Sequence, residues 1–208
     1  MKRLLIGLIA IAMMIGLPMI GQAMPGAKVL LTSRGMGSGK VIEVDPITKT
    51  IVWEYTGTGT YFGPNESIPL TNGNIIIADG NNNRLIEVNP AKQIVWQWQE
   101  PNNIYFSPVD VRKTPQGTLL AVEMDKKVLE IGYPAGNVIW DSGTISTVRE
   151  AERLPGTGTP TYLITQVYVP GTSTGRVMVM QRDGTVLWEK TGLRFPVDAI
   201  RLADNSIL

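Results

Sequence analysis

The sequence predicts an all-β chain: a β-propeller of four-stranded antiparallel blades, with three complete blades and partial first and last ones. Three observations carry this reading. One phrase recurs four times, at residues 41–53 (VIEVDPITKTIVW), 85–96 (LIEVNPAKQIVW), 128–140 (VLEIGYPAGNVIW) and 177–188 (VMVMQRDGTVLW). The tryptophans closing the copies, Trp53, Trp96, Trp140 and Trp188, stand 43, 44 and 48 residues apart, and a repeat of about 40–50 residues built from short strands marks propeller blades. The segments between them are β-branched and apolar, punctuated by Gly, Pro, Asn and Asp, with no helical period after residue 23.

The chain opens with Lys2 and Arg3, an apolar run from Leu4 to Ile20 and the small-residue stretch Gly21-Gln22-Ala23. Residues 1–23 are expected to be a cleaved secretory signal peptide, the rival reading being an uncleaved membrane anchor at the short limit for spanning a bilayer, which leaves residues 24–208 as the propeller domain. Lys28 to Thr32 is read as a second strand, and Arg34 to Gly39 as the loop after it. The glycines of that loop do not form a phosphate cradle, because Val41 follows Lys40 where Ser or Thr is needed, and a strand follows where a helix is needed.

The second repeat is the clearest. Ser67 to Leu70 is a first strand, Thr71 to Asn74 an Asn-Gly hairpin turn and Ile75 to Ala78 a second strand. Asp79 to Asn83 is a polar loop, and strands at Leu85 to Val88 and Ile94 to Gln99 flank a turn at Asn89 to Gln93. The third repeat fills the same slots, as does the fourth with a longer loop at Tyr168 to Gly175. Phe195 to Leu202 reads as one more first strand and Ser206 to Leu208 as the start of a second, so the chain is expected to stop in mid-blade, as part of a larger propeller; the alternative is a ring of four blades, closed by pairing Lys28 to Thr32 with Ile200 to Leu202. The four recurring tryptophans are expected to wedge between blades. Trp98 stands outside the pattern and is read as an exposed edge aromatic facing away from Trp96.

Composition excludes several chemistries. The chain has no histidine, which removes Ser-His-Asp triads and His-ligated zinc. It has no cysteine, so an exported chain must be stabilised by packing without disulfides. Losing residues 1–23 lowers the formal charge from +1 to −1, which leaves no basic surplus for nucleic acid or an anionic membrane.

One constellation stands out as a candidate site. Glu66, Asp110, Glu150 and Asp198 occupy matching slots at the start of each first strand, the strand that lines a propeller's channel. Asp79 and Glu123 belong to loops expected on the same face. Hard oxygen ligands converging on an axis could hold Ca2+. The competing reading is that each carboxylate accepts hydrogen bonds from backbone N–H groups of the next blade. No catalytic residue is assigned.

The phrase Glu-Val-Asp/Asn-Pro-x-x-Lys-x-Ile-Val-Trp resembles the tryptophan motif of PQQ-like propeller repeats. Residues 70–79 (LTNGNIIIAD), followed by NNRLIEV (82–88), resemble arylsulfotransferase-like and NHL-like propellers. The resemblance covers residues 27–208 and implies the fold. It also implies two enzyme branches. Arylsulfotransferases of this type carry histidine near the start of the innermost strand, where this chain reads Asn65-Glu66, Val109-Asp110, Arg149-Glu150 and Val197-Asp198. Quinone-dependent dehydrogenases hold their cofactor and calcium inside about twice as many blades. Non-catalytic relatives include an outer-membrane assembly scaffold. The expected role is therefore a secreted or periplasmic binding or scaffold protein, with a small molecule or an envelope or secreted protein held at the channel face. The alternative is part of an extracytoplasmic enzyme.

Overall fold

The computed structural model describes residues 26–35, 39–58, 61–101 and 105–208. The expected signal peptide and the centre of the Arg34 to Gly39 loop lie outside the described residues. Blade I comprises β1 (Val29–Ser33), β2 (Lys40–Asp45) and β3 (Thr50–Tyr55). Blade II comprises β4 (Pro64–Pro69), β5 (Ile75–Asp79), β6 (Arg84–Val88) and β7 (Ile94–Trp98). Blade III comprises β8 (Pro108–Lys113), β9 (Leu119–Glu123), β10 (Lys127–Ile131) and β11 (Val138–Asp141). Blade IV comprises β12 (Val148–Arg153), β13 (Thr161–Gln166), β14 (Gly175–Gln181) and β15 (Val186–Leu193). Each blade is an antiparallel meander in sequence order, so three sheets have four strands and the first has three. The first strands β4, β8 and β12 pack side by side along the inner edge.

The partial ends do not meet. β1 pairs with β2 alone. Ile200 and Leu202 pair instead with Leu208 and Ser206 in a C-terminal hairpin (Ile200 N to Leu208 O 3.1 Å, Leu202 N to Ser206 O 2.8 Å). The sheets thus form an open arc.

Five of the hairpin turns are of one kind. In Leu70 to Asn74, Leu70 N donates to Asn74 O at 2.8 Å and Gly73 N to Leu70 O at 3.0 Å, with φ +83° at Gly73. Residues 89–93, 114–118, 181–185 and 202–206 repeat both bonds, with positive φ at Lys92, Gly117, Gly184 and Asn205. This is the three-residue hairpin loop, a type I turn closed by one left-handed residue. The Asn-Gly turn expected at Asn72 and Gly73 needs positive φ at both, and only Gly73 has it.

The core lies between blades. Val41, Tyr55, Ile77 and Ile86 fill the gap between blades I and II. Ile76, Leu85, Phe106 and Leu129 fill that between II and III. Leu120, Val128, Tyr162 and Ile164 fill that between III and IV. In blades II and III the second and third strands are covered on both sides, which is why these strands read as continuous apolar runs.

The tryptophans act as wedges with a polar tip. Trp53 Nε1 donates to Pro90 O at 3.1 Å, Trp96 Nε1 to Pro134 O at 2.9 Å and Trp140 Nε1 to Arg182 O at 2.8 Å. Each acceptor belongs to the turn between the third and fourth strands of the next blade. Trp98 corrects the expectation of an exposed aromatic: it is 6% exposed, packs edge-on against Phe106 at 5.2 Å and donates to Gly136 O at 2.7 Å. Residues two apart on a strand share a face, so Trp98 points into blade III beside Trp96.

Candidate functional site

Each first strand begins with a β-bulge, and an acidic side chain follows it. The register shifts between Pro64 and Glu66, Pro108 and Asp110, and Val148 and Glu150. A bulge re-aims the side chain beside it, here toward the next blade. Asp110 Oδ2 accepts from Ala151 N at 3.3 Å, and Glu150 Oε2 from Ala199 N at 3.1 Å. The donor is in each case the backbone N–H of the residue directly after the next blade's acid. Glu66 Oε1 accepts instead from its own neighbour, Ser67 N, at 2.8 Å.

The group that joins these acids is Arg112, two residues beyond Asp110 on β8. Its guanidinium contacts Glu150, lies 3.5 Å from Asp110 Oδ2 and 4.0 Å from Asp198 Oδ1. The sequence reading missed it, although a basic residue two positions from an acid on the channel strand must share its face. Burial pushes the Asp110 carboxyl up to about 6; Arg112 pulls it down, Glu66 pushes it up and the Ala151 N–H pulls it down. Burial also raises Glu66 and Glu152, with Arg112 opposing in both. Glu66, Asp110, Glu150 and Asp198 are thus brought together around a guanidinium that supplies the positive charge a cation would bring. No group of three acidic side chains among the described residues is arranged to hold a metal ion.

Asp79 and Glu123 sit one strand outward, at the ends of β5 and β9, paired with Pro64 and Pro108. Both are fully buried. Asp79 accepts from Gly63 N at 3.2 Å, from Asn82 Nδ2 at 2.8 Å and from Arg84 Nε at 3.0 Å. Glu123 pairs with Lys126 at 2.6 Å. Asp79 ties the loop between the second and third strands of blade II to the start of its first strand, and Glu123 holds Lys126 of the corresponding loop in blade III.

A second acidic slot was legible in the repeat phrase and passed over. Glu87 and Glu130 each lie directly across the strand pair from the blade's tryptophan, Trp96 and Trp140. Glu87 accepts from Asn74 Nδ2 and from the Tyr133 hydroxyl, both at 2.6 Å. Glu130, fully buried, takes Thr118, Arg153, Tyr162 and Arg182, the last three from blade IV. Burial pushes both carboxyls up, but these hydrogen bonds outweigh it and hold them below the usual glutamate range. The Tyr162 hydroxyl, buried against Glu130, is pushed up to about 12.

A glutamate faces the tryptophan across the strand pair in blades I, II and III, as Glu43–Trp53, Glu87–Trp96 and Glu130–Trp140. A family model described as outer membrane protein assembly factor BamB, of PQQ-like repeats, matches residues 16–191. The chain belongs to this family. Among solved structures, a hydrazine synthase of Kuenenia stuttgartiensis is similar at 16% identity and TM-score 0.64, covering 86% of this chain and 51% of that one. A virginiamycin B lyase of Staphylococcus aureus is similar at 12% identity and TM-score 0.58, covering 88% and 66%. A protein of unknown function from Bacteroides caccae is similar at 13% identity and TM-score 0.60, covering 80% and 64%. These likenesses show the propeller fold alone, and the BamB-family chain spans about half to two thirds of each. No curated protein matches it. No helix among its described residues is long and apolar enough to cross a membrane.

Proposed function

We propose that this BamB-family chain is an exported scaffold that holds an envelope protein on its channel face. The observation that carries this reading is the use made of the acid ring. Asp110 and Glu150 are buried and committed to the backbone of the next blade and to Arg112, which is what a structural ring requires and an acid/base site does not. The face that bears these strand starts also carries the loops between second and third strands, since Pro64, Pro108 and Val148 pair with Asp79, Glu123 and Gln166. Asp125 and Thr172 are exposed there. The family description, an assembly factor for outer membrane proteins, supports an envelope protein as the partner class, and the opening 23 residues support export.

Photo-cross-linking residues placed at Asp125 and Thr172, with Thr48 and Asp183 on the opposite turns as controls, test the reading in an exporting host. The expected result is a discrete cross-linked envelope protein from the first pair only, on a chain whose mature N-terminus is Met24. Cross-links from the control turns alone, or a chain retained in the cytoplasm, overturn it.

A further inference from the structure

We infer that the turn face of blades I to III, opposite the channel face, docks on the surface of an anionic bilayer. The inference is independent of the partner proposed for the channel face.

The backbone points to it first. Each turn between a third and a fourth strand holds one residue in the left-handed region. In blades III and IV that residue is glycine, Gly136 (φ +81°) and Gly184 (φ +90°). In blades I and II it is lysine, Lys49 (φ +59°) and Lys92 (φ +66°). Glycine adopts this conformation without steric cost and lysine does not. Both lysines are exposed. Among the described residues the lysine ion pairs are made by Lys28, Lys40, Lys126 and Lys127, so Lys49 and Lys92 take on the strain without an ionic contact in return. Strain of this kind is characteristic of functional positions.

The surroundings supply the charge complementarity. Lys113, at the end of β8, brings a third exposed ammonium group to the same face, 5.4 Å from the Tyr133 ring. The acids of this face are already committed. Glu43 pairs with Lys28 at 2.8 Å, and Glu87 is buried beneath Asn74 and Tyr133. Asp45 folds back to accept from Ile47 N at 2.8 Å and Thr48 N at 3.0 Å. A formal charge of only +1 for the whole chain therefore conceals a local surplus. Beside Lys49 the turn exposes Ile47, at 56%. Lysines flanking an exposed apolar tip suit a bilayer interface, with lipid phosphates for the ammonium groups and the acyl boundary for the isoleucine. Blade IV carries Asp183 in the corresponding turn, which limits the surface to blades I to III.

The course of the chain agrees. β1 begins at Val29, paired with Val44 beside the Lys49 turn, so the chain enters the propeller on the turn face. The apolar run from Leu4 to Ile20 lies upstream of that entry. Docked in this way, the propeller presents its channel face away from the bilayer.

Flotation of the exported chain with vesicles tests the inference, using phosphatidylglycerol and phosphatidylcholine in equal parts against phosphatidylcholine alone. Binding is expected to the first only, and to weaken as salt is raised. The double variant Lys49→Gly, Lys92→Gly places the residue the backbone favours at both positions, so the fold is kept while two charges are lost. Its partition onto the anionic vesicles is expected to fall about 30-fold, and Ile47→Ser lowers it separately. Because the chain has no cysteine, Ile47→Cys and Asp125→Cys each place an environment-sensitive dye on one face, and a blue shift on vesicle binding is expected from Ile47→Cys alone. Absent or equal binding to the two kinds of vesicle, binding unchanged in the double glycine variant, or a blue shift from Asp125→Cys overturns the inference.

Discussion

Glu130 and Arg182 meet across the boundary between blades III and IV at 2.8 Å, and the same residue's carbonyl accepts the Trp140 indole N–H at 2.8 Å. Arg182 therefore receives both members of the cross-strand pair Glu130–Trp140. Tyr133 and Pro134 do the same for Glu87 and Trp96. Blades II, III and IV are stapled by one recurring device: an acid and an indole side by side on one blade, reaching one turn on the next. Since Arg153 and Arg182 lose their shared partner, Glu130→Ala is expected to cost about 3–5 kcal/mol, as for a broken buried ion pair. Glu130→Gln keeps some of the hydrogen bonds and is expected to cost less. Urea denaturation measures both.

The indole N–H groups can be graded. Trp96→Phe and Trp140→Phe leave a carbonyl of the next blade without its donor and are each expected to cost at least about 1 kcal/mol from the lost hydrogen bond alone. Trp188→Phe removes an N–H that has no acceptor among the described residues and is expected to be within about 0.5 kcal/mol of wild type. Equal losses at the three positions contradict the assignment.

Asp110 gives the chain a pH dependence of unusual sign. Its folded-state value of about 6 lies above the ordinary aspartate value of 3.8, so between these pH values the native state binds more protons than the unfolded state. Stability then falls as pH rises from about 4 to about 6 and is level above, by up to about 3 kcal/mol from this group. Glu87 and Glu130, held low by their hydrogen bonds, act oppositely and lose their contribution as pH drops below the ordinary glutamate value. Asp110→Asn retains an oxygen for the Ala151 N–H and removes the charge. The difference in unfolding free energy between Asp110→Asn and wild type is expected to grow in favour of the variant from pH 4 to pH 6.5. A difference that stays flat contradicts the shift.

Arg112 compensates the ring. Arg112→Gln leaves Asp110 and Glu150 buried without their cation and is expected to destabilise by about 3–5 kcal/mol at pH 8. The cost shrinks toward pH 5, where Asp110 takes up a proton. Chemical denaturation at the two pH values checks both the size and the trend.

The blades were legible because their signal is local. Apolar runs such as Ile75 to Ala78 sit between turn residues, and the tryptophan slot repeats at nearly constant spacing. The carboxylate-to-amide reading of Asp110 and Glu150 also follows from recurrence, since a bond between blades must be made once per blade. The misses concern direction and register. Trp98 was placed on the wrong face, although strand periodicity puts it with Trp96. Arg112 gains its role because the bulge before Asp110 turns the start of β8 toward the next blade, and a bulge has no reliable sequence mark. Glu87 and Glu130 lie inside the phrase itself, but their partners Tyr133, Tyr162 and Arg182 are more than thirty residues away, and only the stacking of blades brings them together.

The central claim is that the channel carboxylates serve as bonds between blades and do not form a cation site or an acid/base pair. Melting curves of wild type, Glu150→Gln and Glu150→Ala, each with calcium and with chelator, test it most directly. The expected result is a small loss for Glu150→Gln, a loss of about 2–4 kcal/mol for Glu150→Ala, and no shift between calcium and chelator in any of the three. A wild-type melting temperature that drops with chelator, and a drop that Glu150→Gln abolishes, would contradict it.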